Sequence, residues 1–235
     1  MRREIIFLLL AVSLAAATLD QTYAQTVDRE GDSVIVKSTD LSLLMGQLGE
    51  GSLAKLSRFC ESDGSCSVEG NTVTITEEFS PGSYYTFTAE HGIPFSQYTY
   101  EIRKIPADRF GQLLDKLLLE AGVIDETGDV LDPIDLSDKE SNGKDAEDFR
   151  RFNVNINYSI VMPGSVSEAH AGNASASIEG SKATFDVVEV MADSEPMVVK
   201  SSELNLGVLV LIAGIIIVAG LAVAFKKSKP KRRKK

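Results

Sequence analysis

Apolar and polar side chains recur along this chain with two different periods. From Ser67 the period is two: Val73, Ile75 and Phe79 alternate with polar residues behind a Gly70-Asn71 turn, which predicts a strand. Ser80-Pro81-Gly82 and Gly92-Ile93-Pro94 are turn sequences, and the stretches after them, 84–88 and 97–105, read as further strands of an antiparallel meander. An earlier run at 33–38 also predicts a strand. Asp40 then caps a helical pattern with Leu41, Leu44, Met45 and Leu48 on one face. Gly46, Gly49 and Gly51 break it, and a second helical turn starts at Ser52 and buries Leu53 and Leu56.

The clearest helix is predicted over 106–121. Pro106 suits the first turn, Asp108 complements the helix dipole, and Gly122 suits the position after the last turn. Phe110, Leu113, Leu114, Leu117 and Leu118 make one apolar stripe, expected to cover a face of the sheet. Segment 124–148 then breaks the pattern with ten acidic and two basic residues. It reads as a solvated, mobile linker or insertion that the fold can lose. Period two returns with Val154, Ile156, Tyr158 and Ile160, and 174–178, 183–191 and 196–200 read as later strands. The fold class is therefore α+β: a meander and hairpins packed by an amphipathic helix, with 25–123 and 149–205 as the two halves of one domain.

Both ends of the chain are apolar. Arg2 and Arg3 precede a run at 5–17 that is too short to span roughly 30 Å of hydrocarbon, and Thr22-Tyr23-Ala24 offers small residues at the −3 and −1 positions. This predicts a signal peptide over 1–24. Residues 206–225 carry no charge and, at about 1.5 Å per residue, match the hydrocarbon thickness. The basic tail 226–235 follows at once. The positive-inside rule puts that tail in the cytoplasm and 25–205 outside it, as in a single-pass cell-membrane protein. The tail is expected to attract anionic lipid headgroups.

Sorting the charge by position changes the reading of the whole-chain balance of −10. Residues 25–205 hold 14 basic against 32 acidic side chains, a balance of −18, which disfavours nucleic-acid binding. Cys60 and Cys66 bracket a turn-forming stretch in an exported region and are expected to form a disulfide. With His91 and His170 as the two histidines, and no nucleophile or metal-ligand motif, neither a catalytic residue nor a metal or other cofactor is expected. Asp125, Thr127 and Asp129 faintly follow a calcium loop, but Val130 and Leu136 stand where glycine and a bidentate glutamate belong. Asn157 and Asn173 match the glycosylation pattern. Among the aromatics of the meander, Tyr84, Tyr85, Tyr98 and Tyr100 form the candidate binding surface, each offering area with a polar tip, set against ordinary cross-strand packing.

The sequence Tyr158-Ser159-Ile160-Val161-Met162-Pro163-Gly164-x-Val166, followed by Ala169, Gly172, Gly180 and Ala183-Thr184-Phe185, resembles the LppM-type domain. The resemblance covers 152–203. Two departures stand out: no lipobox cysteine is present, and Phe185 stands where the family often has tryptophan. The resemblance implies a membrane-attached extracytoplasmic α+β domain without catalytic residues, in contact with lipids or glycolipids. The expected function is a non-enzymatic envelope protein that binds a lipid, a glycan or another envelope protein. A hydrolase using Asp and Glu carboxylates, and an accessory subunit of a membrane complex, are the alternatives.

Overall fold

The computed structural model of the protein describes residues 19–42, 51–64, 66–82, 84–105, 134–151 and 154–227. The helix expected over 106–121, the pattern at 43–50, the run at 5–17 and the tail from 228 lie outside the described residues.

Two sheets pack face to face, and β2, β6 and β9 alternate inward and outward side chains. The larger sheet is built on β1 (Leu19–Val27), which lies between β2 (Ser33–Asp40) and β9 (Val154–Val161). β2 pairs antiparallel with β1, with Ala24 opposite Val36, whereas β9 pairs parallel, with Tyr23 opposite Tyr158. β4 (Thr72–Phe79) and β3 (Cys66–Glu69) extend one side, and β13 (Lys182–Asp186) and β12 (Ser177–Glu179) the other, giving the order β12-β13-β9-β1-β2-β4-β3. The smaller sheet is wholly antiparallel: β5 (Tyr85–His91), β6 (Phe95–Ile102), β10 (Ser165–Ala171), β11 (Ala174–Ser175) and β14 (Met197–Leu204), in the order β11-β10-β14-β6-β5. The predicted meander is thus split between the sheets, because the turn at 80–82 carries the chain from β4 to β5 across the core. A short pair, β7 (Lys104–Ile105) with β8 (Ile134–Asp135), stands apart.

The helices differ from the expectations in two places. α1 (Ser52–Asp63) follows the predicted pattern, buries Leu56, and ends at Gly64 in the left-handed conformation. α2 (Lys139–Arg151) begins within the segment expected to be solvated and mobile and runs three residues past it. From Ile134 that segment is ordered. Asp138 accepts a hydrogen bond from the backbone of Ser141, the buried Asn142 amide donates to the Asp135 carbonyl, and Leu136 and Ala146 enter the core. Charge alone misled here, because two well-placed apolar residues and a cap suffice when a neighbouring helix supplies the opposite wall. That neighbour is α3 (Val187–Asp193), against which α2 packs. The run 183–191 was expected to be one strand, but it turns helical at Val187. The Asp186 carboxylate accepts from the backbone N–H groups of Val188 and Glu189 and closes a helix whose Val187, Val188, Val190 and Met191 are all buried. A capping residue outweighed the β-propensity of three valines.

β14 leads into α4 (Leu206–Lys227), a 22-residue helix. Its side chains, described as far as Leu221, are exposed almost all round, with Val210 at 72% and Val218 at 67%. Among the described residues no helix is long and apolar enough to cross a membrane. The described side chains of α4 stop short of the roughly 20 residues that a bilayer requires.

The boundary expected after Ala24 falls in the middle of β1. Residues 19–24 supply six of the eight pairs of its ladder to β9, the Tyr23 ring is buried and stacked on Tyr158, and Asn155 donates to Asp20. A cut after Ala24 would remove these contacts from the centre of the larger sheet. Small residues also stand at Ala15 and Ala17, so a cut there would leave the strand whole. N-terminal sequencing of the processed protein should find its first residue at or before Leu19; a mature chain beginning at Gln25 would contradict this fold.

Candidate functional site

Of the four tyrosines expected to form a surface, three lie inside. β6 turns Tyr98, Tyr100 and Ile102 inward, and β5 places Tyr85 opposite Ile102 on the same face. Tyr85, Tyr98 and Tyr100 are 3%, 2% and 0% exposed. Tyr84 is half-buried, edge-on to Phe79. Cross-strand packing is therefore what these rings do, and the three buried ones are not available at the surface.

The Tyr100 hydroxyl meets the larger sheet through one amide. Gln25 on β1, 1% exposed, accepts from the Tyr158 hydroxyl at 2.7 Å and donates through Nε2 to Ser33 Oγ at 2.8 Å and to Tyr100 Oη. Ser33 Oγ donates to Tyr85 Oη, which also lies 2.8 Å from the Gly31 carbonyl and 2.9 Å from that of Phe79. Gly31 is required at its turn: its φ is +93°, and a Cβ there would come within 2.4 Å of the Phe87 ring. Burial pushes the Tyr100 and Tyr158 phenols well above their ordinary range, and Tyr85 and Tyr98 upward as well.

A second cluster lies where β14 meets α4. Arg29, in the turn between β1 and β2, grips the Glu203 carboxylate with Nε and Nη2, and Tyr98 Oη donates to the same carboxylate. The Arg29 contact, with its hydrogen bonds, holds Glu203 below the usual carboxylate range. Asn205 caps α4, its side chain accepting from Val208 N–H and its carbonyl from Leu209 N–H. Its own N–H donates to the Pro94 carbonyl in the β5–β6 turn at 2.8 Å. No sequence signal joins Arg29 to Glu203, 174 residues away. The polar Gln25 at an inward position of β1, between Tyr23 and Val27, is the one sequence signal that could have pointed to the inner network.

Among the described residues, the outer face of the larger sheet carries small polar groups. One row across the strands runs Asn157, Thr22, Ser38, Thr74 and Ser67, with Ser38 and Thr74 hydroxyls 3.3 Å apart. Ser159 and Thr184 pair at 3.0 Å in the next row. Asn157 is thus exposed on this face, while Asn173 is exposed in the β10–β11 turn, its N–H bonded to Asp193. Cys60 and Cys66 are joined as a disulfide that fastens α1 to β3. His91 lies 3.3 Å from Ser96 Oγ, and His170 beside Glu168; among the described residues no group of three His, Cys, Asp or Glu side chains could hold a metal. No protein-family model, no curated protein and no solved structure matches the chain.

Two outcomes follow from the inner network. Gln25→Leu should destabilise the domain by about 1–3 kcal/mol for each tyrosine hydroxyl it leaves unpaired, measured by denaturant unfolding of the full chain in detergent. An unchanged midpoint would mean that the hydroxyls find other partners. Because the folded-state phenols of Tyr100 and Tyr158 are raised, their contribution is complete below the ordinary phenol value of about 10 and is lost as the pH rises above it. Phenolate absorbance should therefore show a late step that coincides with loss of circular dichroism. Ionisation of all tyrosines before any unfolding would be incompatible with the buried network.

Proposed function

We propose that this chain is a single-pass membrane-anchored protein whose extracytoplasmic α+β domain binds a partner at the cell envelope and carries out no reaction. The observation that carries this reading is the junction at Asn205. β14 ends at Leu204 and α4 begins at Leu206, with no intervening linker, so the folded domain is seated directly on the helix. A 22-residue helix is about 33 Å long, and the apolar exposure of its side chains as far as Leu221 is unfavourable in water and favourable in lipid. The basic residues 226–235 supply the stop-transfer charge and favour a cytoplasmic tail against anionic headgroups. The disulfide fits an oxidising compartment.

The resemblance to LppM-type domains points the same way. With three of the four tyrosines inside, the binding role passes to the outer face of the larger sheet. Its hydroxyl and amide rows offer paired donors and acceptors to a glycan or to a polar protein surface.

The topology is tested by two variants of the full chain with one added cysteine each, Asn173→Cys and Lys235→Cys, treated with a membrane-impermeant maleimide on intact cells; the native pair is oxidised. Position 173 should label at once and position 235 only after permeabilisation. The reverse pattern, or equal labelling of both in intact cells, would reject the proposal.

A further inference from the structure

Exposed large apolar side chains are sparse on the domain, and their distribution is uneven. Away from α4, the described ones are Val34 at 37%, Ile178 at 42%, Leu204 at 40%, Phe95 at 50% and Ile93 at 73%. The first two are isolated and moderate, as on any soluble surface. The other three converge on one end of the smaller sheet. Phe95 and Leu204 are ladder partners on β6 and β14, Ile93 is in the β5–β6 turn next to Pro94, and Leu206, 66% exposed, opens α4.

We infer that the β5–β6 turn is a second membrane contact: Ile93 and Phe95 lie in the headgroup–acyl boundary of the same bilayer that takes α4. The inference rests on the membrane reading above and adds a docking surface to it. The occupant follows from position. The Asn205 N–H bond to the Pro94 carbonyl ties the turn to the capping residue of α4, so wherever Leu206 enters the lipid, Ile93 and Phe95 are held at nearly the same depth. A turn fixed there and presenting polar side chains would be neutral; this one presents an isoleucine and a phenylalanine, the residue types that favour the interface.

The turn is also preorganised. Gly92 N–H donates to the Phe95 carbonyl at 3.1 Å, and a Cβ on Gly92 would come within 2.7 Å of that oxygen. Pro94 fixes its own φ. Little ordering entropy is then lost when the tip enters the interface. The contact is apolar in character. The adjacent β1–β2 turn carries Asp28, Glu30 and Asp32, while the charge of Arg29 is taken up by Glu203. Anionic headgroups would find no net attraction at this end, so the contact should form on zwitterionic lipid and persist at high salt.

The test uses the full chain reconstituted in phosphatidylcholine vesicles, with an environment-sensitive fluorophore on one introduced cysteine; the native pair is already oxidised. Labels at Ile93→Cys, Phe95→Cys, Asn173→Cys and Gly214→Cys are compared under quenching by lipids carrying a nitroxide at headgroup depth and deep in the acyl chain. Asn173, in the β10–β11 turn beyond the far end of β14, is the control for a domain position away from the bilayer, and Gly214 reports insertion of α4. The expected result is headgroup-depth quenching at 93 and 95 several-fold stronger than at 173, unchanged by high salt, with acyl-depth quenching at 214. Quenching at 214 with 93 and 95 no different from 173 would overturn the inference and leave the anchor standing. No quenching at 214 would overturn the anchor and the inference with it. Quenching at 93 and 95 only when anionic lipid is added would also overturn it, since the contact would then be electrostatic.

Discussion

The side-chain amide of Gln25 is the point through which the two sheets recognise each other. It is the polar centre of a packed interior, and it meets tyrosines from both sides: Tyr158 from its own sheet and Tyr100 from the facing one. A purely apolar interface between sheets tolerates sliding, because aliphatic contacts are nearly equivalent from one register to the next. A buried amide does not, since any shift strands donors and acceptors in a medium where an unpaired polar group is costly. The network therefore fixes how the smaller sheet is set over the larger one. It also positions the turn at Gly31, whose carbonyl lies against Tyr85, and through that turn Arg29.

From Arg29 the same constraint reaches the end of the domain. The guanidinium holds Glu203 on the last turn of chain before α4, and Tyr98, another member of the inner ring set, touches the same carboxylate. Surface ion pairs contribute little stability in isolation. This one acts instead as a brace, because a two-point guanidinium contact with a carboxylate sets direction as well as distance. The axis of α4 is consequently related to the sandwich core by a short chain of specific contacts, from Tyr100 and Gln25 through Ser33 and the β1–β2 turn to Glu203 and Asn205.

Much of the fold was legible in the sequence, and what was not has identifiable causes. Alternation at Val73, Ile75 and Ile156 to Ile160 marked strands correctly, and a loop of small and acidic residues between two cysteines marked the disulfide. Alternation also implied that half of the tyrosines would point inward, but parity alone does not say which face of a strand is the core. Tyr98 and Tyr100 share a face two residues apart, so both went inside together. The helix at Val187 was hidden because three of its first four residues are β-branched valines, leaving Asp186 as its clearest helical signal. α2 was hidden by its charge, since the decisive contacts of Leu136 and Ala146 are with elements distant in sequence. The parallel pairing of β1 with β9 had no local signature at all.

That pairing bears on when the domain can fold. The hairpins of the smaller sheet close over short loops, but β1 waits for a partner that arrives much later in the chain, as the bond between Asp20 and Asn155 across 135 residues makes plain. Contacts of such separation form late, because loop closure must precede any return from them. With its central strand flanked on one side only, the larger sheet stays incomplete until residues near 161 are free to join it. A chain delivered from its N-terminus, whether from a ribosome or through a translocation channel, can form its local hairpins early but completes neither sheet until the later strands emerge. The smaller sheet waits longest, since β6 pairs with β14, the last strand before α4.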